Sequence, residues 1–408
     1  MNANSEQLDL GGNVILDKDQ ALLHQSLSDP VIAGLGVGNC RFDKVLGRKV
    51  LVYVNRHGKN CLLLLKAVTY LGNPHPSYKK RIQLPDWYQD FCLRVAQDHL
   101  PYDVRFLGVY HYEGNVIFVD FRKDTYLQHG LHNSSAHVYI NDLFQGQTYG
   151  IFEKEDKYGN VLTTIRCNLL KDYLDGAGNR ETFPLFDLFG RFNSGFRFGE
   201  WIPALEAIRE MQQAGWHQWK QAEWAGFYLE YRFDKFTKEN GVIGQMCLVS
   251  RKKKGQPDFD IYFGESDFYG DLKASDIRHT EAPGNDQKNL LECIDRSGRF
   301  WYVIYEHETV KDRDCGFEAT RARNQFIRSM DLGYTKDGLS YGNKMKNRVL
   351  FRKMTILELN RVNYSSVLRN FRQGHQPGGQ ARNPKFLIDK KTLQNDNIVV
   401  FRYTHRQQ

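Results

Sequence analysis

The chain has 408 residues, 41% of them hydrophobic, and a formal net charge of +8 at pH 7. That length suffices for two or three domains with cores of their own, and the absence of any apolar run near the roughly 18 residues of a membrane span argues against a helical membrane protein. Seven cysteines stand singly, with no Cys-x-x-Cys pair, and the first ten residues lack a basic-then-apolar leader, so we expect neither a zinc module nor a disulfide framework and a cytoplasmic location.

Residues 1–40 are polar and contain Gly11-Gly12 and Gly34-Leu35-Gly36-Val37-Gly38, and we expect them to be a loosely ordered lead-in. The glycine run has no good strand before it and no helix cap after it, so it does not make a nucleotide loop. From 41 to 185 the pattern is that of an α+β domain. Val50–Val54 and Leu62–Val68 read as strands, Trp87–Gln97 as a helix, and Asn115–Phe121, His137–Asn141 and Val161–Cys167 as further strands, with a turn at Tyr158-Gly159-Asn160. Glycines and a proline among aromatics mark the boundary between Gly176 and Gly199.

Residues 186–338 open with helices expected at Ala204–Gln213 and Trp216–Phe236. Strands follow at Val242–Val249, Asp258–Phe263, Phe268–Ser275 and Arg299–Glu308, then a helix at Phe317–Met330. Neither an internal repeat nor a low-complexity tract is visible. The last segment, 339–408, is basic: from Tyr341 onward fourteen Lys and Arg face three Asp and Glu, a balance of +11 that leaves the rest of the chain at −3. Such a segment is an electrostatic footprint for a polyanion, and Lys344, Lys346, Arg348, Arg352 and Lys353 are its first candidates for phosphate contact.

The chemistry concentrates in two neighbouring strands. Side chains alternate between the faces of a strand, so Asp258 and Asp260 share one face and Asp271 and Lys273 share another, while Phe259, Ile261 and Leu272 point away. A hairpin through 264–267 would bring the acids and the lysine together. Oxygen ligands of this kind suit Mg²⁺, and a lysine beside them suits a phosphodiester under attack by water. Acid-x-lysine also occurs at Glu155-Asp156-Lys157, Asp286-Gln287-Lys288 and Asp389-Lys390-Lys391, but only the triplet at Asp271 lies in an apolar strand. Arg251 to Lys254 precede Pro257, and Lys252, Lys253 and Lys254 could hold a phosphate there.

Pro257-Asp258 and Asp271-Leu272-Lys273, with the order of elements around them, resemble the PD-(D/E)XK nuclease superfamily, and within it a type II restriction endonuclease. The resemblance covers about residues 200–310. It implies an α/β fold with a mixed-sheet nuclease core flanked by helices, an additional α+β amino-terminal domain that reads DNA sequence, and Mg²⁺-dependent cleavage of double-stranded DNA. It implies Asp258, Asp271, Lys273 and Glu230 as catalytic residues, with Asp258, Asp271 and Asp260 as metal ligands. The helix glutamate is taken as Glu230, with Glu223 open, since both lie on one stripe with Phe227 and Asp234. A cognate DNA methyltransferase is the expected partner, and a homodimer is left open. A repair or modification-dependent nuclease of the same superfamily, and a DNA-binding protein without catalysis, are the alternatives.

Overall fold

The computed structural model describes residues 4–127, 135–177, 183–249, 259–330, 344–372 and 382–404. The chain divides into two compact units, Met1–Phe183 and Pro184–Gln408.

Unit 1 begins with a hairpin of β1 (Ser5–Leu8) and β2 (Val14–Asp17), then the helix α1 (Ser28–Leu35). A meander follows: β3 (Cys40–Val45), β4 (Arg48–Val54) and β5 (Asn60–Ala67), each antiparallel to the last. After the short β6 (Thr69–Tyr70) and β7 (Lys79–Gln83), α2 (Trp87–Gln97) carries the chain over the sheet, and β8 (Tyr102–Tyr112) pairs parallel with β5. A parallel partner needs such a crossover. β9 (Asn115–Phe121) returns antiparallel on β8. Then come α3 (Lys123–Tyr126), β10 (Ser135–Tyr139) paired to β7, α4 (Ile140–Tyr149), β11 (Ile151–Glu155), β12 (Val161–Arg166) and α5 (Leu170–Leu174). The main sheet has the order β11-β12-β9-β8-β5-β4-β3.

Two expectations for this unit need correction. The segment before residue 40 contributes to the core: Leu27, Val31 and Leu35, at steps of four on one helical face, are buried against Leu51, Leu63 and Leu107. Gly34 reads as a breaker but serves that packing, because a Cβ there would meet the carbonyl of Cys167 at 3.0 Å. The strand at His137–Asn141 ends at Tyr139, where the Asp142 carboxylate accepts the Tyr139 backbone N–H at 2.9 Å and starts α4.

Unit 2 begins with α6 (Phe183–Gly195), β13 (Trp201–Pro203) and α7 (Ala204–Gln213). The next helix is not continuous from Trp216. A 3₁₀ turn at His217–Lys220, with Trp219 buried, precedes α8 (Trp224–Glu239). β14 (Cys247–Leu248) is shorter than expected, because Val242 still bonds back to the carbonyl of Thr237 at the end of α8. β15 (Ile261–Phe263) and β16 (Phe268–Asp276) continue the antiparallel meander. β17 (Glu281–Asp286) leads into α9 (Gln287–Ser297), and β18 (Phe300–Lys311) pairs parallel with β16. After α10 (Glu318–Ser329), β19 (Lys346–Leu359) runs antiparallel along the whole of β18. β20 (Leu368–Phe371) and β21 (Lys385–Asp389) join β17 in a side sheet, and β22 (Val399–Thr404) adds to β19.

The basic carboxy-terminal segment does not merely pack on a core that ends near 338, as expected, but supplies strands of its main sheet. Val349, Phe351, Met354, Ile356, Leu357 and Leu359 of β19 are all buried. One face of the sheet holds Phe300, Tyr302 and Ile304 against Leu290, Cys293 and Ile294 of α9. The other holds an aromatic layer, with Phe186 stacked 5.4 Å from Trp301 and Phe196 5.1 Å from Phe351.

The two units share one plan that no repeat in the sequence announces. Each has a helix, three antiparallel strands, a side strand running into a second helix, a fourth strand parallel to the third, and a fifth antiparallel to the fourth.

Candidate active site

The three other acid-x-lysine triplets resolve into local roles. Asp286 caps α9 by accepting the Asn289 N–H at 3.1 Å, and Asp389 accepts the Lys391 N–H at 3.0 Å. Asp156 takes the N–H groups of Tyr158 and Asn160 in a turn. Asp271 is different: it is 1% exposed in the middle of β16, opposite Tyr302 in the parallel register.

Around it the structure gathers three of the expected groups. Lys273, two residues on and on the same face, places Nζ 2.6 Å from Oδ2 of Asp271. Asp260, just ahead of β15, accepts the backbone N–H of Leu272 at 3.1 Å and shares a hydrogen bond with the Asp271 carboxyl. Burial and then the neighbouring Asp271 charge push the Asp260 pKa well above the ordinary carboxylate range, with Glu230 adding in the same direction. Burial alone would weaken the Lys273 ammonium, but Asp271 and Asp260 outweigh it and hold the lysine charged. Tyr302, fully buried, accepts the backbone N–H of Asn285 at 3.1 Å and feels both Asp271 and Lys273.

Glu230 stands midway along α8, and with Asp260 it lines a cavity of about 800 Å³ that also includes Trp216, Asp234, Lys238 and Val249. Glu223 is instead the residue just before α8, and its charge acts on Lys346. Asp258, Lys252, Lys253 and Lys254 lie outside the described residues. Among the described residues, no three His, Cys, Asp or Glu side chains close into a metal-binding group. Asp260 and Asp271 do form a pair, and Mg²⁺ is commonly held by one or two carboxylates plus substrate oxygens. The raised pKa of Asp260 beside the Asp271 charge suits a cation there, which would favour the ionised form of Asp260.

The basic residues of the last segment divide. Lys344 is exposed, and so is Arg348, whose guanidinium carbon lies 5.0 Å from the Trp201 ring centroid. Lys346 turns inward, with Nζ 3.2 Å from Nε2 of His307. Arg352 pairs with Glu308 at 2.7 Å and Lys353 with Glu306 at 3.4 Å. Sequence reading missed Tyr302 beside Asp271, since only the parallel register places it there, and nothing local signals that register.

A family model described as Methylase-associated X1 matches residues 59–174, a little over a quarter of the chain. Its description associates the matched part with a methylase, which suggests a link to restriction–modification systems. No curated protein matches the chain. Among the described residues no helix is long and apolar enough to cross a membrane.

Proposed function

We propose that this protein is a Mg²⁺-dependent, site-specific endonuclease of double-stranded DNA, a type II restriction enzyme with a PD-(D/E)XK core in unit 2. One observation carries the reading: Asp260, Asp271 and Lys273 meet on adjacent strands of a helix–three-strand–helix–strand frame whose third and fourth strands are parallel. That order is the one the nuclease core needs, and the matched family's description supports a methyltransferase as partner.

Asp260 and Asp271 would hold the ion, with Glu230 on the cavity wall as a third oxygen donor. A bound Mg²⁺ lowers the pKa of water and offsets charge building on phosphorus. Lys273 is held charged and fixed by Asp271, so it can orient the attacking water and stabilise the same charge.

Plasmid digestion with Mg²⁺ tests the reading. Discrete bands are expected from the wild type and none from Asp271→Asn or Lys273→Ala, with far-ultraviolet spectra unchanged. Cutting by either variant at the wild-type rate would remove Asp271 and Lys273 from the chemistry. Prior methylation of the plasmid by a cognate methyltransferase should block the bands; cutting that requires methylation would point instead to a modification-dependent enzyme.

A further inference from the structure

Unit 1 repeats the frame of unit 2 but cannot repeat its acids. The third strand of the frame in unit 2 carries Asp271 and Lys273; in unit 1 the third strand, β5, reads Asn-Cys-Leu-Leu-Leu-Leu-Lys-Ala and contains no carboxylate. β4, the counterpart of β15, contains none either, and α1 has only Asp29 in its first turn. No register of the strands could assemble the Asp260–Asp271 pair here.

What unit 1 carries instead is a cleft of about 630 Å³ where β4 begins and β5 ends. Arg48, Lys49 and Lys66 line it together with Phe42, Trp87 and Tyr88, and no Asp or Glu does. Among the described residues none of the three cations is paired with a carboxylate, whereas Lys80, Arg105 and Lys154 of the same unit each sit on one. Arg48 at the start of β4 and Lys66 near the end of the antiparallel β5 line the cleft together, and like charges so gathered are destabilising unless an anion joins them. Burial weakens the Lys66 ammonium, and no acid offsets it. Beside these charges stand aromatic surfaces. The Arg48 guanidinium carbon is 3.6 Å from the Trp87 ring centroid, the Lys49 Nζ is 4.6 Å from that of Phe42, and Phe42 is 48% exposed.

We propose that unit 1 is a second, non-cutting instance of the frame whose cleft binds a nucleotide of DNA, the phosphate on Arg48, Lys49 and Lys66 and the base against Phe42 and Trp87. Cations that track a phosphate beside aromatic faces that accept any base are the elements of nucleic-acid strand binding. The choice of DNA as the polymer rests on the reading of unit 2. The demand for a nucleotide rests on the cleft alone.

The test uses the full-length protein in EDTA, so that cleavage cannot intervene. Binding of a fluorescent single strand and of a duplex is followed by anisotropy over a range of salt, with deoxyadenosine monophosphate and inorganic phosphate as competitors. The triple variant R48Q/K49Q/K66Q should bind at least tenfold more weakly and lose about 0.9 slope units per phosphate contact in the plot of log affinity against log salt. Trp87→Ala should weaken binding and Trp87→Phe should largely retain it, and melting curves should match the wild type. The exposed single variant Lys49→Gln gives a smaller shift of the same sign if the triple variant does not fold. Competition by the mononucleotide supports a site for a free nucleotide, and competition by strands alone supports one for a nucleotide within DNA. Unchanged affinity and slope in the triple variant, or in Lys49→Gln where that variant stands in for it, would overturn the proposal; so would phosphate competing as well as the mononucleotide with Trp87→Ala indistinguishable from wild type. A failure of the cleavage reading shows in the plasmid digest, whereas a failure of the cleft shows in these metal-free binding assays.

Discussion

The carboxylate of Asp260 takes the backbone N–H of Leu272 at 3.1 Å, which fastens it to the strand that presents Asp271. The two acids are thereby held close whether or not a cation lies between them, and in the metal-free protein burial and the Asp271 charge favour the protonated form of Asp260. The sign of the resulting pH effect follows. A carboxyl whose folded pKa is raised contributes stability below its unfolded pKa of 3.8 and loses it as pH rises through the folded value. In EDTA the melting temperature of the wild type, relative to that of Asp260→Asn, should therefore fall as pH rises above about 4 toward neutral. Ca²⁺ at neutral pH should restore the wild type and not Asp260→Asn. A melting temperature in EDTA with the same pH profile for both proteins would refute the shared-proton account.

His307 has the opposite sign. It is fully buried, and burial, followed by the Lys346 charge, pushes its pKa down to about 3 from an ordinary 6.5. Stability it contributes is complete above pH 6.5 and is lost as pH falls toward 3, because the unfolded chain binds the proton first. The scale is a few kcal/mol by the usual 1.36 per unit. The denaturant midpoint of the wild type, relative to that of His307→Asn, should decline between pH 7 and 4.

Gly270 precedes Asp271 at a point of close approach. A Cβ there would lie 2.9 Å from the carbonyl oxygen of Trp301 and 3.0 Å from the Phe263 ring. Gly270→Ala should push β16 from β18, costing about 1–3 kcal/mol as overpacking does. Because the carboxylate sits on the next residue, cleavage should fall more than stability would predict, which a comparison of melting and digestion at low temperature will show.

Lys344 and Arg348 are the members of the basic set free to meet phosphates, while Arg352 and Lys353 are engaged with Glu308 and Glu306. Neutralising Lys344 and Arg348 together should flatten the salt dependence of DNA binding by about two units and leave stability alone. Neutralising Arg352 and Lys353 should change the slope less. Equal slopes for the two double variants would erase the distinction.

Sequence reading placed Asp271 and Lys273 on one strand face because alternation and an apolar flank are local signals, and the hairpin with β15 needs only a short turn. It misjudged what depends on distant partners. The basic composition of 339–408 conceals that every residue from Met354 to Leu359 is buried, in a strand paired with β18 on one side and β22 on the other. The glycines around Gly34 resembled a loop, although they permit a helix to lie close. The common plan of the two units was invisible for a related reason: a frame is fixed by strand order and helix crossings, and these tolerate Leu where the other copy has Asp.

β19 also joins the two ends of unit 2, since Trp201–Pro203 of β13 pairs with Arg348–Leu350, and β22 pairs farther along the same strand. A ribosome that has reached residue 340 has made both acids and the lysine but not the strand that covers β18. Until then the apolar flank of β18 from Trp301 to Tyr305 has no neighbour on that side, which is a template for association between chains. A message truncated near that codon should therefore yield insoluble protein, and the newly made chain sets Asp271 and Lys273 in a fully paired sheet only once β19 has followed them.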